Sequence, residues 1–292
     1  ALVLRPMPAS RGRTRFDLVG NVLLVLGLGG LLIALSSVST EGLGSWLVRI
    51  GTAAAVVFLP LFVWVERRIK DPLLDLGVFR NRRFSLAISA GMINATATSA
   101  IVILLALYFQ AAQGSTALEA GLLVLPLAVA KVAASGSVGV LTKRMAADTV
   151  AAIGAAITSA GLIGLTIGTA LSSSYGVLLI GLVVSGIGSG IFAPANAAAS
   201  LQGAPGDQLG RINAVRLTVQ NSAWLAGTAL GLSLLTAPLP AQLQHAVFSG
   251  TVSDLGREAV DRLSGGYLLA FGVMWAFSLL AIWASLRSHR LP

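Results

Sequence analysis

Apolar residues in this chain fall into runs too long for the helices of a soluble core. Eight stretches stand out, at 18–35, 47–65, 84–109, 118–141, 150–171, 175–196, 212–235 and 265–286. A bilayer's hydrocarbon core is about 30 Å thick and is crossed by about 20 apolar residues in a helix, since lipid offers no partner to an unpaired backbone group. A membrane-spanning strand needs only about 9–11 residues, so runs of this length predict helices. The pattern therefore predicts an all-α polytopic membrane protein of about eight transmembrane helices.

The connections between the runs are unequal. Residues 1–16 read as the remnant of a cytoplasmic loop, with no apolar core of signal-peptide length, which suggests a piece of a longer protein. Residues 17–66 form a two-helix hairpin, 67–83 a cytoplasmic or interfacial segment, and 84–287 a six-helix block. In the long inner connection, Pro72 is followed by Leu73, Leu74, Leu76 and Phe79 interleaved with charges. Such a segment either lies among the headgroups with its apolar residues toward the acyl chains or is an ordinary charged loop. The long connection 236–264 has room for a short helix over 253–263.

Composition agrees with burial in lipid. Of 292 residues, 55% are hydrophobic and 11% charged, against about 25% charged in a soluble domain. The net charge of +9 would suggest nucleic acid in a soluble protein, so the placement of the cations decides. With the N-terminus inside, sixteen of the twenty Lys and Arg residues fall on the inner side, counting Arg216 with its inner helix end. Three, Arg49, Arg257 and Arg262, fall outside, and Lys131 lies within a span. Cations in short loops are retained on the cytoplasmic side. The basic charge is thus a topology signal with both termini cytoplasmic, and no nucleic-acid partner is expected. The chain has no cysteine, which removes disulfides and thiolate metal sites.

Three stretches carry a resemblance. Pro72-Leu73-Leu74-Asp75-Leu76 with Phe79-Arg80-Asn81-Arg82-Arg83-Phe84 lies between the hairpin and the six-helix block. Tyr108-Phe109-Gln110, Gly114, Leu118-Glu119-Ala120-Gly121-Leu122 and Leu125-Pro126 join the next two helices, and Asp17-Leu18-Val19-Gly20 opens the hairpin. Together they resemble the fourteen-span drug:proton antiporter family of the major facilitator superfamily. The resemblance implies a linker hairpin plus the C-terminal six-helix half, itself two three-helix repeats, with the N-terminal six-helix half absent. It further implies a bacterial inner-membrane protein whose partners are the lipid bilayer, that missing half, protons and a hydrophobic or drug-like small molecule exported by alternating access. No cofactor is implied. A truncated or split membrane subunit that does not itself transport is the alternative. The superfamily's cytoplasmic loop pattern, Gly-x-Leu-x-Asp-Arg-x-Gly-Arg, stands here as Gly139, Leu141, Lys143, Arg144 and Ala146, so its Asp position is Lys and its second Gly is Ala.

Few polar groups lie within the spans, where they tend to face a bundle interior or a watery path. Lys131 falls near the middle of the fourth run and shares a helix face with Ala128, Ser135 and Thr142. It either meets an anion of the substrate or of the absent half, or is satisfied by helix carbonyls. Asn94 and Thr98, at i and i+4 with Thr96 and Ser99 adjoining, either line a cavity or bond between helices. In the seventh run Asn213, Arg216, Gln220, Trp224 and Gly227 share a face, with Arg216 read as an interfacial anchor and Gln220 and Trp224 as cavity wall. The run Gly181, Ser185, Gly186, Gly188, Ser189, Gly190 allows close helix approach, and lacks the strand-to-helix context of a phosphate loop. Glu119 sits at a helix entrance, and no acid or histidine lies in the interior of a run, so neither a metal site nor an enzyme is expected.

Overall fold

The computed structural model describes residues 18–41, 44–69, 81–171, 174–202, 209–240 and 257–289. Their helices are α1 Leu18–Glu41, α2 Trp46–Glu66, α3 Arg82–Ser99, α4 Ile101–Gln113, α5 Ala117–Ser135, α6 Val138–Leu141, α7 Ala147–Ala170, α8 Tyr175–Leu201, α9 Leu209–Thr236 and α10 Arg257–His289. A break at Ala100 separates α3 from α4 within one rod, and Gly136–Ser137 separates α5 from α6. Helix thus covers every one of the apolar runs, and the protein is an all-α polytopic membrane protein.

Six rods among the described residues are long and apolar enough to cross a membrane: Trp46–Glu66, Arg82–Ala111, Ala117–Leu141, Ala147–Ala170, Tyr175–Leu201 and Leu263–His289. α1, 24 residues long, carries the first apolar run, 18–35. The remaining rod, α9, is diluted by Asn213, Arg216, Gln220 and Asn221, of which Arg216 is buried and Asn213 and Gln220 half-buried. Two sequence expectations fall elsewhere. Pro72 to Phe79 and the hairpin entry at Asp17 lie outside the described residues. Rather than forming a separate short helix over 253–263, residues 257–263 are the first turns of α10.

Local chemistry explains the motif-like stretches. At the start of α3, Asn81 Oδ1 accepts from the amides of Arg83 (3.0 Å) and Phe84 (3.3 Å), two of the donors that a helix start leaves orphaned. Gly114 ends α4 in the left-handed region, φ 67°, where a side chain would be strained. Its amide bonds to Gln110 O and that of Ser115 to Phe109 O, the paired closure of a helix C-terminus. Thr116 and Glu119 then cap α5 reciprocally. Glu119 is accordingly occupied with Thr116, at 2.8 Å from its amide.

The packing has an internal order. α7 lies along α8, and α10 lies along α3; α5 meets α8, and α9 meets α3; α7 and α10 meet each other. Exchanging α3, α5 and α7 for α8, α9 and α10 maps these pairings onto themselves, although no residue-level similarity between the two sets is visible. The hairpin joins through α1, which touches α9.

The two ends of the bundle are built differently. At one end Arg83 on α3 donates to Asp148 on α7 (2.8 Å) and to Gln202 after α8 (2.8 Å), while Ser288 on α10 donates to the same Asp148. Asp148 and Ser288 are buried. This end also carries Lys143, Arg144 and Arg287, the last lying 5.1 Å from the Trp283 ring, and is called the basic end below. The opposite end is closed by an apolar cluster with Leu104, Leu162 and Leu182 at its centre. In it Tyr108 meets Tyr267 edge-on at 5.2 Å, and Tyr175 donates to the Leu123 carbonyl at 3.0 Å.

Candidate functional site

Small residues decide how closely the helices around the central cleft approach. A Cβ on Gly186 would strike the Leu127 carbonyl, and one on Gly190 the Lys131 carbonyl. α8 therefore presents two bare Cα positions, four apart, to the middle of α5. On its other side Gly188 abuts Thr158, and Gly161 of α7 abuts Ser185. The glycine-rich run is thus divided between two neighbours, and it fixes where along α8 the Lys131 segment sits.

Between α3, α4, α5, α8 and α9 lies a cleft of about 270 Å³. Asn94, Thr98, Lys131, Gln220 and Trp224 all line it, together with Ser99, Ser189, Phe192 and Asn221. Every cavity candidate read from the sequence is brought to this one place. Among the described residues Lys131 is the sole charged group in its wall, and no carboxylate lines it. Thr98 donates to the Asn94 carbonyl at 2.9 Å and Ser99 to that of Thr96 at 3.0 Å, so these hydroxyls are satisfied within their own helix. Thr96 reaches across to the Ala223 carbonyl at 3.4 Å. The Asn94 side chain differs: it is 5% exposed, and its Oδ1 has no hydrogen-bond partner. Trp224 is half exposed. Ser135 and Thr142, expected on the Lys131 face, bond back to the Val132 and Val138 carbonyls.

Behind Gln220 runs a buried polar chain. Arg216 donates through Nε and Nη2 to Asn213 Oδ1 (3.1 and 3.0 Å) and through Nη1 to Gln220 Oε1 (2.9 Å). Gln220 Nε2 donates to Asn196 Oδ1 (3.3 Å), and Asn196 Nδ2 donates to the Ala87 carbonyl of α3 (2.8 Å). The chain passes Gly91, where a Cβ would lie 2.5 Å from Gln220 Nε2 and 2.6 Å from Asn196 Oδ1. Arg216 was expected as an interfacial anchor. It is instead 8% exposed, because the two amides on its own helix face supply the acceptors that water would have supplied. Among the described residues the one ion pair is Arg83–Asp148, so no carboxylate there faces the Arg216 guanidinium.

Known proteins are similar to this chain in sequence. No family model matches the chain. Multidrug resistance protein Stp of Mycobacterium tuberculosis is 28% identical over 229 residues, covering 78% of this chain and 42% of that protein. Methylenomycin A resistance protein of Streptomyces coelicolor is 28% identical over 238 residues, covering 80% of this chain and 49% of that protein. Lincomycin resistance protein LmrB of Listeria monocytogenes is 34% identical over 114 residues, covering 39% of this chain and 24% of that protein. Its homologues are major facilitator drug-resistance transporters. Proteins of that kind are not enzymes, and the chain spans about half the length, or less, of these major facilitator relatives.

Against the superfamily's loop pattern, the structure shows what the altered residues do. Lys143 and Arg144 are exposed in the turn after α6, and a Cβ on Gly139 would meet nothing within 4 Å. No close approach demands glycine there. The acid of this region is Asp148, in the first turn of α7, which gathers Arg83 and Ser288. Sequence reading passed over Asp148 because it stands just before an apolar run, where a loop acid and a buried acid look alike. Its place in the first turn of a helix, where a negative charge is favoured, was the available signal.

Proposed function

We propose that this chain is the linker hairpin and C-terminal six-helix half of a proton-coupled efflux transporter for hydrophobic or drug-like compounds, working by alternating access. The observation that carries the reading is the cleft. Asn94, Thr98, Lys131, Gln220 and Trp224 come from three helices, and mid-membrane polar groups that converge on one recess are how a transporter wall recognises cargo. The drug-resistance homologues support the same direction. Lys131, Gln220 and Trp224 form the substrate-facing wall, and the half that would close the cleft from the other side contributes the remaining surface. The basic end faces the cytoplasm, as the distribution of loop cations requires.

The test uses the full-length transporter that contains this chain, expressed in cells lacking other pumps. Accumulation of a panel of cationic, neutral and anionic fluorescent compounds should fall for some members and recover when a protonophore is added. Unchanged accumulation of every compound, or export that a protonophore leaves intact, refutes proton-coupled efflux. Orientation has its own readout, since the chain has no native cysteine to interfere. Single cysteines at 113–117 should label from outside intact cells, and labelling from outside at 81–83 would invert the topology.

A further inference from the structure

We propose that the cleft seats a carboxylate between the Lys131 ammonium and the Gln220 amide, and that the transported class is an amphipathic organic acid with a flat apolar body. The proposal rests on the transport reading above and narrows it to one charge type.

The charges at the cleft are all of one sign among the described residues. Lys131 is in the cleft wall, no Asp or Glu among the described residues accompanies it there, and the buried Arg216 stands behind Gln220. A buried cation held only by neutral amides is short of an anion, and desolvation makes that shortage costly. Gln220 connects the two. Its Oε1 is held by Arg216 and one N–H by Asn196, which leaves the second N–H of the same amide for the cleft it lines. A donor polarised by a guanidinium behind it is a stronger donor, because hydrogen bonds in a chain reinforce one another where the dielectric is low. An ammonium on one side and a polarised amide N–H on the other match the two oxygens of a carboxylate. A cationic drug would meet Lys131 with no compensating acid.

Two further groups describe the rest of the ligand. Asn94 Oδ1 is buried in the cleft wall without a donor, so it suits a ligand hydroxyl or N–H. Trp224 leaves half of its surface exposed at the same cleft and offers a flat apolar platform. The carboxylate itself has two possible sources, a substrate or an acidic side chain from a segment beyond this chain, and substitution at Lys131 separates them.

Vesicles containing the full-length transporter are assayed with pyrenebutyrate, its methyl ester and ethidium, at matched membrane levels of each variant. Lys131→Ala should raise the KM for pyrenebutyrate at least tenfold, with a smaller rise for the ester, which has no carboxylate to lose, and no rise for ethidium, and Lys131→Arg should restore pyrenebutyrate. Transport of ethidium without transport of, or competition by, pyrenebutyrate overturns the proposal and leaves the efflux reading standing. An equal loss for all three compounds in Lys131→Ala puts the carboxylate on the protein and overturns its assignment to the substrate. If no compound moves, the efflux reading fails, and the inference is decided by equilibrium binding. Pyrenebutyrate affinity for the purified protein should then drop at least tenfold in Lys131→Ala, and an unchanged affinity ends it.

Discussion

The α7–α8 pair and the α5–α6 rod qualify equally as membrane spans, yet they are used in opposite ways. In α7 and α8, 56% of the apolar window is buried within the protein, whereas in α5–α6 it is 11%. Hydrophobicity does not separate them, since lipid is as apolar as leucine and gives helices no reason to leave it. The kind of side chain at the contact does. α7 and α8 meet through Gly154, Thr158, Gly161, Ser185 and Gly188, so their backbones touch and dispersion is gained over a long seam. α5 comes closest to α8 where Gly186 and Gly190 admit it, and it turns Leu118, Leu122, Leu125, Val129 and Val132 outward. One region is a rigid body and the other a surface awaiting lipid or a second body.

The largest expected effect is at the knot that fastens the packed region at the basic end. Asp148→Ala leaves the Arg83 cation with Gln202 but without its counter-charge, and the buried Ser288 hydroxyl without its acceptor. Removing one partner of a buried pair costs about 3–5 kcal/mol, with the low end expected here because Arg83 keeps some water contact. Thermal unfolding in detergent should show a large fall in midpoint, and Asp148→Asn should recover part of it by keeping an acceptor for Ser288. An unchanged midpoint for Asp148→Ala would remove the knot from the account of what holds the packed region together.

Next in size is a pair of glycine substitutions that tests the comparison directly. At Gly188 an added methyl runs into Thr158, including its backbone nitrogen, and overpacking of this kind costs about 1–3 kcal/mol. At Gly121 on α5 the same methyl meets nothing within 4 Å, and Gly→Ala within a helix is worth up to about 1 kcal/mol in the stabilising direction. Opposite signs for Gly188→Ala and Gly121→Ala in the same unfolding assay sustain the distinction. Equal losses would mean that α5 is packed by something the chain itself carries.

Asn196→Ala should have an effect of about 1–3 kcal/mol, since it removes the link from Gln220 to the Ala87 carbonyl and leaves the half-buried Gln220 amide without its acceptor. Hydrogen exchange at the α3 backbone near Ala87 is a local readout. Faster exchange there, with the α7–α8 seam unchanged, would show that the polar chain braces the cleft side alone; exchange altered throughout would merge the two regions into one cooperative unit.

The sequence by itself determined the helical class, the order of the helices and the short list of polar groups that membrane burial makes conspicuous. Those properties are local: an apolar run must close its own backbone hydrogen bonds, and a lone Lys131 or Asn94 inside such a run stands out wherever it points. The i and i+4 spacing already put Asn94 with Thr98 and Gln220 with Trp224 on shared faces. Only the tertiary structure decided that these faces and Lys131 meet in one cleft, because the rotation of each helix about its axis is set by its neighbours. It also decided that Arg216 is buried behind Gln220, that Asp148 collects two partners from distant segments, and which glycines of α8 serve α5 and which serve α7. Each of these depends on contacts between residues far apart in the chain, such as Asp148 with Ser288 and Gly190 with Lys131, and no local pattern encodes which distant side chain will arrive.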